Sequence, residues 1–83
     1  MPTTDELLER IQLDPQILRG KPTIRGLRIS VEQVLRARSA GITEAELMDD
    51  YPELEPLDFR AVEAYAAAQI ADDRVYSIPR SAA

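Results

Sequence analysis

The 83-residue chain has no cysteine, no histidine and no tryptophan. Without cysteine there are no disulfide staples and no thiolate zinc site, and without histidine there is no imidazole base or imidazole metal ligand. Serine–lysine chemistry would rest on the one lysine, Lys21. Carboxylate pairs such as Glu46 with Asp49 or Asp50 fall on the wet face of a short helical segment, where a solvated surface is their ordinary role. No Asp-rich loop of calcium-binding layout occurs. The expectation is a protein that is not an enzyme, with no metal, no cofactor and no small-molecule substrate. Long apolar runs are missing too. The longest, at residues 64–68, is mostly alanine and falls far short of the ~20 residues a membrane span needs. Nothing has the layout of a signal peptide, so a cytoplasmic protein without membrane contact is expected.

Aromatics are scarce, with one phenylalanine and three tyrosines. A chain of this length buries only about 60% of the surface its unfolded form exposes, and with so thin a core self-association is the expected route to stability.

Charge is present in quantity but unevenly placed. The net charge is −5. Residues 19–38 hold six cations (Arg19, Lys21, Arg25, Arg28, Arg36, Arg38) against the single acid Glu32, a local +5, and the remainder carries −10. Such asymmetry points to two surfaces with different partners, although small acidic domains also carry uneven charge without function.

The local patterns describe one domain over residues 1–83: a hairpin region at 11–30, a three-helix unit at 31–71 and a tail at 72–83. Thr3 and Glu6 have capping-box spacing, followed by the apolar Leu7, Leu8 and Ile11. Asp14-Pro15 ends that segment, whether helix or short strand, and the alternation over Ile11–Asp14 predicts a brief strand. In Gly20-Lys-Pro-Thr-Ile-Arg-Gly-Leu-Arg-Ile29, Arg25-Gly26 occupies a two-residue hairpin turn. That register sets Ile24 opposite Leu27 and Pro22 opposite Ile29 on one apolar face.

Ser30 and Gln33 then cap a helix carrying Val31, Val34 and Leu35, which Gly41 stops. Thr43 and Glu46 cap a second helix from Glu44 to about Asp50, with an Ile42–Leu47 staple, and Pro52 forbids its continuation. Pro56 opens a third, to about Ala71, with Phe59, Val62, Ala66 and Ile70 on one stripe. A second stripe, Ala61, Tyr65 and Ala68, predicts a homodimer interface. Val75, Tyr76 and Ile78 are large apolar residues in the tail that either pack back on the third helix or serve a partner.

Three short helices with a tight Tyr-Pro-Glu-Leu-Glu connection follow the plan of a helix-turn-helix unit. The spacing Gly20-Lys21-Pro22-x-Ile24-x-Gly26-x-Arg28-Ile29-x-Val31 resembles the bacterial "domain of unknown function 433" family. So do Gly41-x-Thr43-x-x-Glu46-Leu47-Met48, Tyr51-Pro52-x-Leu54, Asp58 and Tyr65-Ala66. Leu27 and Glu55 depart from it, standing where the family has threonine and a serine or threonine cap. The resemblance implies a mainly α, homeodomain-like three-helix fold with a short N-terminal β-hairpin. It also implies a VapB-like antitoxin that pairs with a PIN-like nuclease toxin encoded next door.

For nucleic acid the residues themselves are divided. The third helix opens Glu55-Pro-Leu-Asp-Phe-Arg60, a poor front for reading base edges. Lys21, Arg25, Arg28, Arg36 and Arg38 are the candidate phosphate contacts for operator DNA. Of these Lys21 and Arg25 are favoured, while Arg36 has Glu32 beside it and Arg28 is expected to pair with an acid of its own fold. The acidic remainder suits a basic nuclease, touched either by the acids of the second and third helices or by Val75, Tyr76 and Ile78. The rival from another class is an oligomeric adaptor that keeps the fold and binds no DNA.

Overall fold

The computed structural model describes residues 1–72. In chain order these form α1 (Thr4–Leu8), β1 (Ile11–Gln12), a 3-10 turn at Leu18–Gly20, β2 (Thr23–Ile24), α2 (Val31–Ser39), α3 (Glu44–Asp50) and α4 (Pro56–Asp72). The described residues are mainly helical, with a short helix at the Thr3 capping box before the three expected helices, and a two-stranded antiparallel sheet. Val75, Tyr76 and Ile78 lie outside the described residues.

Side-chain oxygens set the helix starts. Thr3 and Glu6 form a complete capping box at α1, and Thr43 and Glu46 form another at α3, each satisfying amides the first turn leaves unpaired. At α2 Ser30 Oγ accepts from the Gln33 amide at 2.9 Å. Gln33 does not complete that box; its side chain donates to the Tyr51 hydroxyl at 2.9 Å and ties the start of α2 to the end of α3. Helix α2 ends in a Schellman motif. Gly41, at φ +93°, donates to Arg38 O and Ile42 to Ala37 O, both at 3.0 Å.

Strand β2 pairs with β1, Ile11 opposite Ile24 and Gln12 opposite Thr23. The Arg25-Gly26 turn forms as expected, with φ of +47° and +74° and the Leu27 amide donating to Ile24 O at 2.8 Å. The partner register differs by two residues. The Ile24 amide donates to Ile29 O at 3.1 Å, Thr23 bridges Ser30, and the Val31 amide donates to Pro22 O at 2.9 Å. A slip of two keeps every side chain on its own face. It also lets Ile29, a buried residue, fill the core where Leu27 is only partly covered.

The core joins Ile24, Ile29, Val31, Val34, Leu47, Leu54, Phe59 and Val62. Helix α4 is its spine, packing against α1, α2 and β1. Among the described residues no helix is long and apolar enough to cross a membrane.

Gly26→Val should cost about 1–3 kcal/mol in urea unfolding, because a β-branched residue resists positive φ. An added Cβ would also lie 3.2 Å from Gln12 Oε1. A parental unfolding midpoint would show that the turn tolerates a side chain and that the left-handed geometry is not needed.

Candidate functional site

The +5 segment divides into cations held inside the fold and cations left on its surface, and one carboxylate makes the division. Asp58 sits in the first turn of α4 with its side chain 1% exposed. Glu55, just before the helix, lacks the short oxygen of a good cap. Asp58 supplies the other half of a capping box instead, accepting the Glu55 amide at 2.8 Å. Arg25 reaches it from the hairpin turn as a two-pronged donor, Nε to Oδ1 at 3.0 Å and Nη2 to Oδ2 at 2.9 Å. Nη2 also donates to Glu53 O in the α3–α4 connection. Arg10, from just before β1, donates through Nη1 to Asp58 Oδ1 at 3.0 Å and to Glu55 Oε1 at 2.9 Å. Its carbonyl accepts the Arg25 amide at 2.7 Å.

Burial pushes the Asp58 carboxyl up, the largest single effect. Arg25, the Glu55 amide and Arg10 together outweigh it and hold the group below its ordinary value. The internal carboxylate that sequence reasoning assigned to Arg28 thus belongs to Arg25.

The other cations are wetter. Lys21 Nζ lies 3.1 Å from Glu32 Oε1, and Arg36 Nε lies 2.9 Å from Glu32 Oε2. Lys21 first, then Arg36, holds the Glu32 carboxyl below its usual range. Arg38 turns to the far end of α2, donating through Nη1 to Ile42 O at 3.0 Å and lying 3.7 Å from Glu44. Arg28 is exposed on the loop and has no ion pair among the described residues. Lys21 and Arg36 are therefore brought together around one acid, while Arg25, Arg28 and Arg38 point to separate tasks.

At the front of α4 the one cation, Arg60, is held by Glu44 and Glu63. Sequence reasoning gave no separate role to Arg19. It has φ +58° and lines a cavity with Lys21, Ser30 and Gln33. Asp14-Pro15 and Gly20 signal a turn there, but nothing in the residue types of Leu18 and Arg19 announces its left hand.

The expected dimer stripe is also divided. Ala61 is fully buried in its own core, while Tyr65 and Ala68 are partly covered. The open apolar surface takes in Tyr65 but otherwise lies beside the stripe. A groove of about 480 Å³ runs between α2 and the later turns of α4, formed chiefly by Pro22, Val31, Leu35, Tyr65, Ala66 and Ile70. Leu35 is 37% and Ile70 62% exposed. Among the described residues no three acidic side chains converge as a metal site would need.

The described residues thus make a small, mainly helical domain that carries exposed cations and an open apolar groove. The chain belongs to the family described as "Protein of unknown function (DUF433)", whose model matches residues 11–66. No curated protein and no solved structure matches the chain.

Asp58→Asn should lower stability by about 3 kcal/mol at neutral pH, since it weakens a buried pair while leaving Arg25 and Arg10 in place. Because the folded carboxyl lies below its unfolded value of about 3.9, its contribution is present above that pH and disappears as pH falls through the folded value. Parent and variant unfolding curves should therefore converge in acid. A constant gap from neutral pH to the acid limit would contradict the assignment.

Proposed function

We propose that this chain is the antitoxin-like member of a type II toxin–antitoxin module, a cytoplasmic and non-catalytic homodimer. In this reading it neutralises a PIN-like nuclease by occupying it and binds its own operator DNA, with α2–α4 acting as a homeodomain-like helix-turn-helix unit. The observation that carries the reading is the open groove between α2 and α4. Leu35 and Ile70 stay in water there, in a chain whose core is otherwise thin. Contiguous exposed apolar surface in a small charged protein suits a protein partner.

A second copy of the chain fits this groove, since apolar surface on α2 and α4 can meet its own counterpart about a two-fold axis. The acids of α3 and its flanks then remain for a basic nuclease surface, as does the tail with Val75, Tyr76 and Ile78. Electrostatic steering between an acidic inhibitor and a basic enzyme speeds encounter and fixes register.

A second reading has its own observation. With Asp58 buried and Arg60 held between Glu44 and Glu63, the front of α4 offers no free cation for base edges among the described residues. This favours the oligomeric adaptor that binds no DNA.

Co-expression with an adjoining PIN-like nuclease separates the two. The antitoxin reading expects growth to be restored and a complex of fixed stoichiometry to be purified; continued toxicity without a complex leaves the adaptor. Changing Leu35 and Ile70 together to glutamate should convert a sedimenting dimer to a folded monomer, because both side chains are exposed in the single chain, with a melting temperature that falls and no longer depends on protein concentration. A parental monomer at micromolar concentration would overturn the dimer.

A further inference from the structure

The cavity behind the Leu18–Gly20 turn takes no part in the Asp58 network or in the apolar groove. Its volume is about 410 Å³, and Leu18, Arg19, Lys21, Ser30 and Gln33 line it. The turn that forms its edge is strained, with Leu18 at φ +48° and Arg19 at +58° before Gly20 at +81°. Left-handed backbone crowds Cβ against the following carbonyl, so two consecutive non-glycine residues adopt it only when their surroundings impose it. Here the Gly20 amide donates to Ile17 O at 3.0 Å and the Lys21 amide to Leu18 O at 3.2 Å. The result is that Arg19 and Lys21 border one concave surface.

The chemistry of that surface is one-sided. No carboxylate is among its lining residues in the described part of the chain. Arg19 has no ion pair among the described residues. Among those residues Lys21 has only Glu32, in a pair whose side chains are 58% and 48% exposed, and such pairs hold weakly in water. Glu32 keeps Arg36 when Lys21 leaves, so releasing the ammonium strands no charge. Gln33 is steadied by the Tyr51 hydroxyl, and Ser30 and Gln33 give the wall a hydroxyl and an amide.

We propose that this cavity is a phosphate subsite that takes a backbone phosphodiester of duplex DNA, with Arg19 and Lys21 as its two cations. The proposal rests on the DNA-binding half of the function proposed above. It moves the centre of that contact from the hairpin tip to the turn before it. A backbone suits the site better than a small phosphorylated molecule, because the cations are wet and no enclosed wall is present to hold the rest of a small ligand. Repeated phosphates gain from counterion release what one exposed contact lacks.

The test is fluorescence anisotropy of a labelled duplex from upstream of the gene, titrated at several potassium chloride concentrations. Arg19→Asn removes the charge while keeping a residue that tolerates left-handed backbone. It should flatten the log–log salt slope by about 0.9 for each phosphate that is no longer neutralised, with an unchanged melting temperature. Arg19→Lys should keep the parental slope, and Glu32→Gln should bind more tightly because Lys21 is released. If the parent binds and Arg19→Asn keeps its slope, the subsite is wrong and DNA binding stands. If the parent binds no duplex at low salt, both fall, and nuclease neutralisation is judged separately by co-expression. Inorganic phosphate that shifts the amide signals of Arg19 and Lys21 in a chain that ignores duplex would overturn the nucleic-acid assignment.

Discussion

The fold depends on keeping one carboxylate charged inside it. Asp58 accepts four hydrogen bonds of 3.0 Å or less, from three parts of the chain. A buried charge is tolerated only when donors replace the water it gave up, and removing one partner leaves the others uncompensated. Three segments must therefore arrive together: the residue before β1, the turn after β2 and the start of α4. The apolar core alone would accept small displacements among these elements. The two-pronged grip of Arg25 accepts few, because a planar guanidinium meets a carboxylate in a narrow range of geometries.

That constraint explains why the basic segment does not act as one surface. Arg25 has the turn position most exposed in sequence terms, and the structure folds its side chain back onto α4. Arg38 reaches the carbonyl of Ile42 beyond the end of α2, where a cation is favoured near free carbonyls. Arg19, Lys21, Arg28, Arg36 and Arg38 are exposed, but Lys21 and Arg36 share Glu32 and Arg38 is held at the end of α2. Net charge summed over a sequence window overstates the positive surface because it cannot tell which cations have partners far along the chain.

Features governed by neighbouring residues were legible in the sequence. The capping boxes at Thr3 and Thr43, the glycine stop after α2 and the positive φ of Gly26 follow from interactions a few residues apart, and each is present. Features governed by distant partners were not. Asp58 lies 33 residues from Arg25 and 48 from Arg10, and no local pattern separates Arg25 from Arg28 as its partner. The hairpin register slipped for a related reason. Leu27 and Ile29 occupy the same face at a spacing of two, so alternation fits either, and only the depth of the core selects Ile29. Gln33 has the right spacing to complete the Ser30 box but lies within reach of Tyr51, a tertiary partner that wins the competition. The left hand of Leu18 and Arg19 is illegible because neither residue favours it; the turns around them impose it.

The two ends of α4 show how the ion network bears on function. At its first turn Asp58 is sealed by two arginines and Arg60 is held between two glutamates, so this end of the helix is committed to the fold. At its later turns Tyr65, Ala66 and Ile70 leave apolar surface open beside Leu35 of α2. Helix α2 lies between the two surfaces that remain. Its outer side borders the apolar groove, and Ser30 and Gln33 at its start wall the basic cavity. Helix α2, only nine residues long, therefore adjoins both surfaces, whereas the first turn of α4 adjoins neither.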